Sequence, residues 1–352
     1  MASNLPEEVR QALATVQDPD LRRDLVTLGM IEDLAVSDGR VSFTLVLTTA
    51  ACPLREQLEG DCRGALRKLP WVSDVSIRTI SRMRKPKDPT ADRKALEGVA
   101  NVLAIGSGKG GVGKSTVACN IAVALAAAGA RVGLLDGDIY GPNLPRMLGV
   151  REQPTQRGGK IVPVEAWGLR FISMGLLVDQ GEAVVWRGPM LHGAIKSFVH
   201  DVDWGELDYL IVDLPPGTGD VQLSLVQQTF VAGAVVVTTP STVAVEDGIK
   251  AVSMFGKLGV PVLGVIENMS GFVCDGCGKR HDIFSAGDPE ERARQMGVPF
   301  LGAVPLHPEV RLGGDGGRPV VADRPGSEHS RALARIAGHL AQRVSIQTLG
   351  VG

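Results

Sequence analysis

The residues that are best suited to chemistry, by their types and their spacing, lie in a glycine-rich segment that reads GKGGVGKST. It satisfies the pattern G-x-x-x-x-G-K-[ST] and lies between an apolar strand and a helix predicted to begin near Lys114. Backbone N–H groups can wrap around phosphate oxygens there, and the helix N-terminus adds the positive end of its dipole. We predict that Lys114 reaches the β and γ phosphates of ATP and that Ser115 coordinates Mg²⁺. The predicted nucleotide contacts are Gly108, Lys109, Gly110, Gly111, Val112, Gly113, Lys114, Ser115 and Thr116.

Two acidic segments lie downstream of this loop, each directly after a run of apolar residues. The first is LLDGD, which contains Asp136 and Asp138, and the second is YLIVD, which ends at Asp213 and continues as PPGTGD. Carboxylates at strand ends can face Mg²⁺ or orient an attacking water, although such an aspartate can also merely cap the next helix. The second segment looks like a Walker B strand leading into switch II. It predicts that Asp213 holds Mg²⁺ through water and that Gly217 lets the loop sense the γ phosphate.

A third candidate site is a pair of cysteines three residues apart, Cys274 and Cys277, in a polar loop that contains glycine. This spacing suits two thiolate ligands of one metal centre. A single C-x-x-C is a weak signal alone, because it also fits a redox disulfide, half of a zinc site with His281, or coincidence.

Short β-branched runs alternate with helical segments from about residue 99 onward, as in βαβ units. The runs are almost continuously apolar, which favours a parallel sheet covered on both faces. We predict an α/β fold with a doubly wound, mainly parallel sheet, whose ligand lies beyond the carboxyl ends of the strands. The predicted strands include 102–105, 131–135, 209–212, 235–238, 262–266 and 300–304.

The composition of the chain indicates two domains joined by a linker. Residues 1–80 are predicted to form a small α+β domain. Residues 81–98 begin with SRMRKPKDPTADRK, a basic stretch interrupted by prolines that buries little apolar surface, and they are predicted to be the linker. The P-loop ATPase domain is predicted at residues 99–345, followed by a tail at 346–352.

Charge and hydropathy argue against two classes of partner. The formal net charge of -2 over 352 residues offers no broad positive field, so no nucleic acid partner is expected. The N-terminus lacks the basic start and apolar run of a secretory signal, and the apolar stretches are far shorter than the roughly 20 residues of a membrane span. We therefore expect a cytoplasmic protein without a membrane partner.

The segment GKGGVGKS carries a second lysine, Lys109, and closely resembles the deviant P-loop of the MinD, ParA and nitrogenase-iron-protein superclass. In that superclass the equivalent lysine reaches across a dimer to the partner's nucleotide, like an arginine finger supplied in trans; a solvated surface lysine is the alternative. The resemblance implies that Asp138 is the switch I aspartate that positions water, whereas Asp136 is closer to structure than to chemistry. It also implies an adenine-recognising amide at Asn268, with a turn-forming role as the competing interpretation.

A more specific resemblance covers nearly all of residues 99–345, through the motifs GSGKGGVGKST, LLDGDIYGPNLPRMLG, VVWRGPML, YLIVDLPPGTGD, VVVTTP and ENMSGFVCDGC. Together they resemble the Mrp/ApbC/Nbp branch of iron-sulfur cluster carrier ATPases. The resemblance implies that Cys274 and Cys277 are the ligands of a 4Fe-4S cluster and that residues 186–189 line the nucleotide or dimer face. One departure is FSAGD at 284–288, where many relatives have a glycine-richer stretch.

Two thiolates in each chain are too few for a four-iron cluster, which typically has four ligands, whereas two chains supply Cys274 and Cys277 twice. We therefore expect a homodimer bridged by the cluster, in agreement with the trans role of Lys109. The implied function is ATP-dependent cluster carriage, in which ATP binding or hydrolysis gates cluster loading or release. The implied partners are recipient apoproteins and upstream cluster-assembly factors.

The N-terminal domain resembles the small iron-sulfur assembly-type domain of bacterial Mrp proteins, through DPD at 18–20, LGM at 28–30 and TTAACP at 48–53. Cys52 precedes a proline at a predicted helix start, where a lowered pKa would make it reactive. A buried structural thiol is the equal alternative. We assign this domain no catalysis, only a role in contacting partners or the cluster.

Two other functions share parts of this pattern. A positioning ATPase of the MinD or ParA kind has the same P-loop and switches, so the fold alone cannot separate it from a cluster carrier. A non-enzymatic scaffold could hold zinc across the dimer with the same cysteines, because sulfur ligands suit both zinc and iron-sulfur clusters.

Overall fold

The computed structural model describes residues 5–83, 95–177, 188–217, 219–274, 276–284 and 287–349. The predictions for most of the linker, for residues 186–187 and for the last three residues of the tail lie outside this part of the chain, as do Thr218, Asp275, Ser285 and Ala286. The chain divides into two compact units. One comprises Met1–Lys85 together with Ala341–Gly352, and the other comprises Pro86–Leu340.

The N-terminal unit combines two main helices with a three-stranded sheet in the order β3-β4-β5. Strands β3 and β4 are antiparallel, and β4 and β5 are parallel. Apolar side chains from one face of each helix and from β4 form its core, and this confirms the predicted small α+β domain. Its elements are α1 (Leu5–Leu13), β1 (Gln17–Asp18), β2 (Arg23–Asp24), β3 (Ile31–Ser37), β4 (Arg40–Leu47), α2 (Arg55–Leu66) and β5 (Asp74–Ser81).

The C-terminal segment of the chain is more ordered than the predicted tail. Its helix, α11, runs from Glu328 to Thr348. Ile346 and Leu349 pack against the apolar core of the N-terminal unit. The local pattern of the last residues could not indicate this, because their apolar partners lie near the other end of the chain.

The larger unit contains the predicted βαβ alternation. Its elements before residue 200 are β6 (Val99–Gly106), α3 (Lys114–Ala127), β7 (Val132–Asp136), α4 (Leu144–Leu148), β8 (Thr155–Arg157), β9 (Lys160–Val162), β10 (Val164–Ala166), β11 (Leu169–Ser173), a 3₁₀ turn (Met174–Leu176) and α5 (Gly188–His200). After it come β12 (Leu207–Asp213), α6 (Asp220–Gln228), β13 (Gly233–Thr238), α7 (Thr242–Lys257), β14 (Val262–Asn268), β15 (Phe272–Val273), β16 (Arg280–His281), α8 (Pro289–Gln295), β17 (Phe300–Val304), α9 (Pro308–Asp315), α10 (Val320–Asp323) and the first part of α11.

Eight strands of this unit form one sheet in the order β10-β11-β7-β12-β6-β13-β14-β17. All neighbours are parallel except β10 and β11, so the predicted doubly wound, mainly parallel sheet is confirmed. The central strands are buried almost throughout, since apolar helices cover both faces. Because β7, β12, β6 and β14 run in the same direction, their carboxyl ends meet at one edge. The predicted site residues Asp136, Asp213 and Asn268 are the last residues of three of these strands, and the phosphate-binding loop follows the fourth.

Candidate functional site

The phosphate-binding loop joins β6 to α3, and its glycines are required by two close contacts. Gly113 precedes α3 with a φ of +79°, and a Cβ at this position would lie 2.2 Å from the Nδ2 of Asn268. A Cβ on Gly108 would lie only 2.0 Å from the carbonyl oxygen of Asp247. Any other residue at Gly108 would force the backbone apart, and one at Gly113 would displace the amide of Asn268 and strain the left-handed backbone, so the motif pattern reflects packing as well as phosphate binding.

Lys114 is the centre of the site. Its side chain is only 6% exposed, and its Nζ lies 2.6 Å from the Oδ1 of Asp213. The same ammonium group donates a hydrogen bond to the Oγ of Ser115 at 3.2 Å and lies 3.9 Å from the Oδ2 of Asp138. The structure therefore brings together four predicted site residues from three separate segments of the chain.

The chemistry around Asp213 fits a hydrated Mg²⁺ ion. Its side chain is fully buried, and Oδ1 is paired with Lys114, but Oδ2 receives no hydrogen bond from any described residue. A buried carboxylate oxygen without a partner is costly, and a metal-bound water would satisfy it. Ser115 lies beside the ammonium group of Lys114 and offers a hydroxyl oxygen. Together with the carboxylate of Asp213 this gives Mg²⁺ the oxygen ligands that it prefers.

Asn268 lies between the loop and an open cavity. Its Nδ2 donates a hydrogen bond to the carbonyl oxygen of Val112 at 2.9 Å. The cavity, about 410 Å³ in volume, begins at the loop and is lined by Gly113, Thr116, Asn268 and Leu306 among others. Its size and position suit a nucleoside attached to phosphates in the loop. Asn268 thus touches both the loop and the cavity, and adenine recognition by its amide stays a prediction.

Lys109 differs from Lys114 in its surroundings. Lys109 is half-buried, and its carbonyl oxygen accepts a hydrogen bond from the Oγ of Ser107 at 3.0 Å. Within the described chain no carboxylate pairs with its ammonium group. A lysine without an ion pair among the described residues of its own chain is available to a phosphate bound by another chain.

The cysteine pair lies on a short hairpin formed by β15 and β16. The backbone N–H of Gly278 donates to the carbonyl of Cys274 at 2.8 Å, and the N–H of Cys274 donates to the carbonyl of Lys279 at 3.0 Å. Cys277 is exposed and Cys274 half-buried, and neither is in a disulfide. Neither thiol belongs to a group of three metal-ligating side chains within the described part of the chain, so His281 does not complete a three-ligand zinc site there.

Two protein families match this chain. Residues 98–341 match the NUBPL iron-transfer P-loop NTPases, and residues 6–78 match a family of iron-sulfur cluster assembly proteins. The chain belongs to the NUBPL iron-transfer P-loop NTPase family. This membership confirms the resemblance carried by the sequence motifs, and it indicates ATPase activity.

The descriptions of individual relatives agree with this family membership. An iron-sulfur cluster carrier protein from Deinococcus radiodurans is 51% identical over 341 residues, which cover 96% of this chain and 95% of the relative. A protein of the same description from Synechocystis sp. is 49% identical over 349 residues, covering 97% and 99%. A nucleotide-binding protein from Archaeoglobus fulgidus, solved in complex with ADP, has a TM-score of 0.55 and 36% identity, covering 63% of this chain and 88% of that one.

Asp136 is buried next to the predicted site residues Asp138 and Asp213. The Oγ of Ser173 donates to its Oδ2 at 2.9 Å, and the N–H of Asp138 donates to its Oδ1 at 3.2 Å. Burial, reinforced by the nearby charge of Asp213, raises the pKa of Asp136 to about 8. Its predicted structural role therefore includes a proton that the folded protein retains at neutral pH.

This retained proton makes stability depend on pH. The folded state keeps the proton on Asp136 up to about pH 8, whereas an ordinary aspartate loses it near 3.8. The folded form therefore binds more protons over that range, and the free energy of unfolding should fall as pH rises from about 4 to 8. Asp136→Asn, which stays neutral, should reduce this fall and raise the nucleotide-free melting temperature at pH 8 by about 2–4 °C for each kcal/mol recovered.

Melting curves at pH 5 and pH 8 check this expectation, with exposed Asp203→Asn as the matched control. A fall in melting temperature between the two pH values that is as large in Asp136→Asn as in the control would contradict it.

Gln222 is a residue that sequence reasoning missed. It is 1% exposed, and its Nε2 donates to the carbonyl oxygens of Pro215 and Gly217, both at 3.0 Å. Its Oε1 accepts the N–H of Gly219 at 3.1 Å, and the N–H of Gly217 donates to Ser107 beside the phosphate-binding loop at 2.9 Å. One amide thus holds the switch II loop. A glutamine three residues after Gly219 is the capping pattern that could have indicated it.

Removal of this amide should slow turnover more than it weakens binding. Gln222→Ala leaves two carbonyls of the loop without their donor, and we expect kcat for ATP to fall by about 10- to 100-fold, because misplacement of a catalytic loop by about 1 Å costs that much. ADP affinity should change by less than about threefold, since the phosphate-binding loop itself keeps its contacts.

Steady-state hydrolysis and ADP titration check this split, with exposed Gln227→Ala on the same helix as control. Equal losses in kcat and in ADP affinity would show that Gln222 supports the fold of the whole site instead.

Cys52 is a half-buried thiol, and its surroundings favour the structural interpretation over the reactive one. Burial, followed by the charges of Asp18 and Asp20, raises its pKa, although the N–H of Leu54 opposes the shift. It packs against the core of the N-terminal unit. Of the two alternatives for this residue, the reactive thiolate is therefore disfavoured.

Among the described residues, no helix is both long enough and apolar enough to cross a membrane.

Proposed function

We propose that this chain is an ATP-dependent iron-sulfur cluster carrier that holds a 4Fe-4S cluster between two copies of itself and delivers it to recipient apoproteins. The observation that carries the proposal is the cysteine pair, exposed Cys277 and half-buried Cys274, on a hairpin of the domain that also contains the phosphate-binding loop with Lys114. The names of the relatives, iron-sulfur cluster carrier proteins, support the same function.

The thiol count supports a cluster shared by a homodimer. Because no third ligand accompanies Cys274 and Cys277 in the described chain, one copy offers a four-iron cluster half of its usual ligands. A two-fold axis beside the hairpin would bring four thiolates together. Since these thiols must stay reduced to bind the cluster, we propose that the protein works in the cytoplasm and receives its cluster from upstream assembly factors.

We propose a separate role for each residue of the nucleotide site. Phosphate oxygens of ATP compete with Asp213 for the ammonium group of Lys114, so nucleotide binding releases a carboxylate that is otherwise paired. Ser115 and Asp213 would then hold Mg²⁺, which supplies charge neutralisation at the phosphates. Asp138, half-buried beside Lys114, orients the attacking water, and Lys109 of one copy stabilises charge on the nucleotide of the other.

We further propose that the nucleotide controls cluster affinity. Asn268 ends the strand that leads to the cysteine hairpin, and its side chain binds the phosphate-binding loop. A movement of the loop on ATP binding therefore has a short covalent route of six residues to Cys274. Such a route couples two sites only if both ligands bias the same structural change.

Anaerobic reconstitution tests the proposal. The full chain is incubated with iron and sulfide, with and without ATP, and its iron, sulfide, zinc and subunit content are determined by chemical analysis and native mass spectrometry. We expect about four iron and four sulfide per dimer, and a cluster affinity that differs between the ATP and ADP states. A dimer that holds only zinc would indicate the scaffold, and a protein without metal would indicate a positioning ATPase.

A further inference from the structure

Three potential metal ligands meet near the start of α9, apart from the cysteine hairpin. They are His307 and Glu309 at the helix N-terminus and His329 in the first turn of α11. One ligand atom of each lies within 4.8 Å of the other two. The Oε2 of Glu309 lies 3.4 Å from the Nε2 of His329 and 3.9 Å from the Nδ1 of His307. One carboxylate oxygen therefore faces both imidazole rings.

His329 has an unsatisfied nitrogen that points into this group. Its side chain is 3% exposed, and its Nε2 has no hydrogen-bond partner among the described residues. The contact with Glu309 at 3.4 Å does not meet the geometry of a hydrogen bond. A buried nitrogen without a partner destabilises the fold unless something binds it. A cation in front of Nε2 would do so.

The ligand atoms of the three side chains lie close enough together for one ion. The two rings stack with centroids 4.5 Å apart and planes inclined by 21°. Two imidazoles held tetrahedrally by one ion, each with its nitrogen about 2.0–2.1 Å from the metal, have ring centres roughly 5 Å apart and ring planes that both contain the metal, so the stacked rings would rotate apart on binding. The second oxygen of Glu309 is paired with Arg324, a contact that keeps Oε2 turned toward the rings, as outer partners of metal ligands do.

We propose that His307, Glu309 and His329 form a binding site for one divalent transition-metal ion, with Zn²⁺ as the occupant. Two imidazoles and one carboxylate are a ligand set that Zn²⁺ accepts, and they leave one tetrahedral position for water. The Nδ1 of His307 accepts the N–H of Glu309 at 3.2 Å, and it would exchange this donor for the ion. His307 also lines the cavity beside the phosphate-binding loop, so the ion lies at its wall.

Zinc titration of the full chain tests this site. The background protein carries Cys274→Ser and Cys277→Ser, so that the thiols cannot compete for the metal. In calorimetry it should bind one Zn²⁺ per chain, and Co²⁺ should give visible absorption without the charge-transfer bands of thiolate ligands. Three variants are compared in this background: His307→Asn, which retains a helix-capping acceptor, His329→Gln, and His200→Gln as control on α5.

The two site variants should bind Zn²⁺ at least about tenfold more weakly than the background protein, whereas His200→Gln should bind it equally well. Melting curves in chelator show which variants are folded. If His329→Gln does not fold, His307→Asn is the variant that tests the site. The side chain of His307 is 18% exposed, so we expect its replacement to leave the protein folded. Failure of the background protein to bind zinc, or unchanged affinity in a folded His307→Asn variant, would overturn the proposal.

Discussion

Lys109→Ala is expected to bind ATP nearly as well as the unaltered protein and to hydrolyse it at least about 10³-fold more slowly. A charge supplied in trans contributes about 10³–10⁵ to the rate of phosphoryl transfer. Lys109 has no ion pair among the described residues of its own chain, so its removal leaves no charge there unpaired. Lys114→Ala would be harder to interpret, since it would leave the fully buried Asp213 without its cation, which typically costs about 3–5 kcal/mol.

A mixture of two inactive variants decides whether Lys109 acts across the dimer. Lys109→Ala and Asp138→Asn are each expected to be inactive as homodimers. In a mixed dimer, the first subunit keeps its own Asp138 and receives Lys109 from the second, so one of the two sites is complete. Equal mixing makes half of the dimers mixed and should restore about a quarter of full ATP turnover. No recovery, with subunit exchange verified, would assign Lys109 to its own site.

Cys274→Ser combined with Cys277→Ser is expected to abolish cluster binding and cluster transfer completely. The double substitution removes all four thiolates that a dimer presents at the hairpin, and serine hydroxyls do not replace them as iron ligands. ATP hydrolysis without cluster should stay within about twofold of the unaltered protein, because no hydrogen bond joins the phosphate-binding loop to the described residues of the hairpin. Iron and sulfide analysis and transfer to an apoprotein measure the first effect, and steady-state turnover measures the second.

Cys52→Ser is the matched control, since Cys52 is also a non-disulfide thiol but packs in the N-terminal unit. It should retain full cluster content. Cluster content that survives in the double variant would remove Cys274 and Cys277 as ligands and with them the proposed carrier mechanism, while the ATPase assignment would stand on its own.

The phosphate-binding loop could be located between its strand and its helix because its motif occupies nine consecutive residues, while its nucleotide contacts stay predictions. The approach of Asp213 to Lys114 spans 99 positions, yet it followed from a general rule, since parallel strands present their carboxyl ends at one edge. The rule predicts that the carboxylate of Asp213 lies at the site. It does not predict the 2.6 Å ion pair with Lys114, which depends on the rotamers of two buried side chains.

The features that sequence reasoning missed depend on the paths of loops and on distant packing. The capping pattern indicates the bond between Gly219 and Gln222, but no local pattern predicts that the switch II loop turns two carbonyls toward the same amide. His307 and His329 lie on separate helices, and only the packing of these helices brings their rings into contact. The order of the C-terminal residues likewise arises from Ile346, which packs in a core built by the opposite end of the chain.

The five cysteines differ widely in burial, and this makes the hairpin selectively addressable by thiol reagents. Cys119 is completely buried with a raised pKa, and burial raises the pKa of Cys62 to about 12 and also that of Cys52, so these thiols form little thiolate at pH 7. Cys277 is exposed. A brief maleimide pulse on the cluster-free protein should therefore place a fluorescent dye at Cys277 without any substitution, and its emission would report hairpin motion in real time during nucleotide turnover.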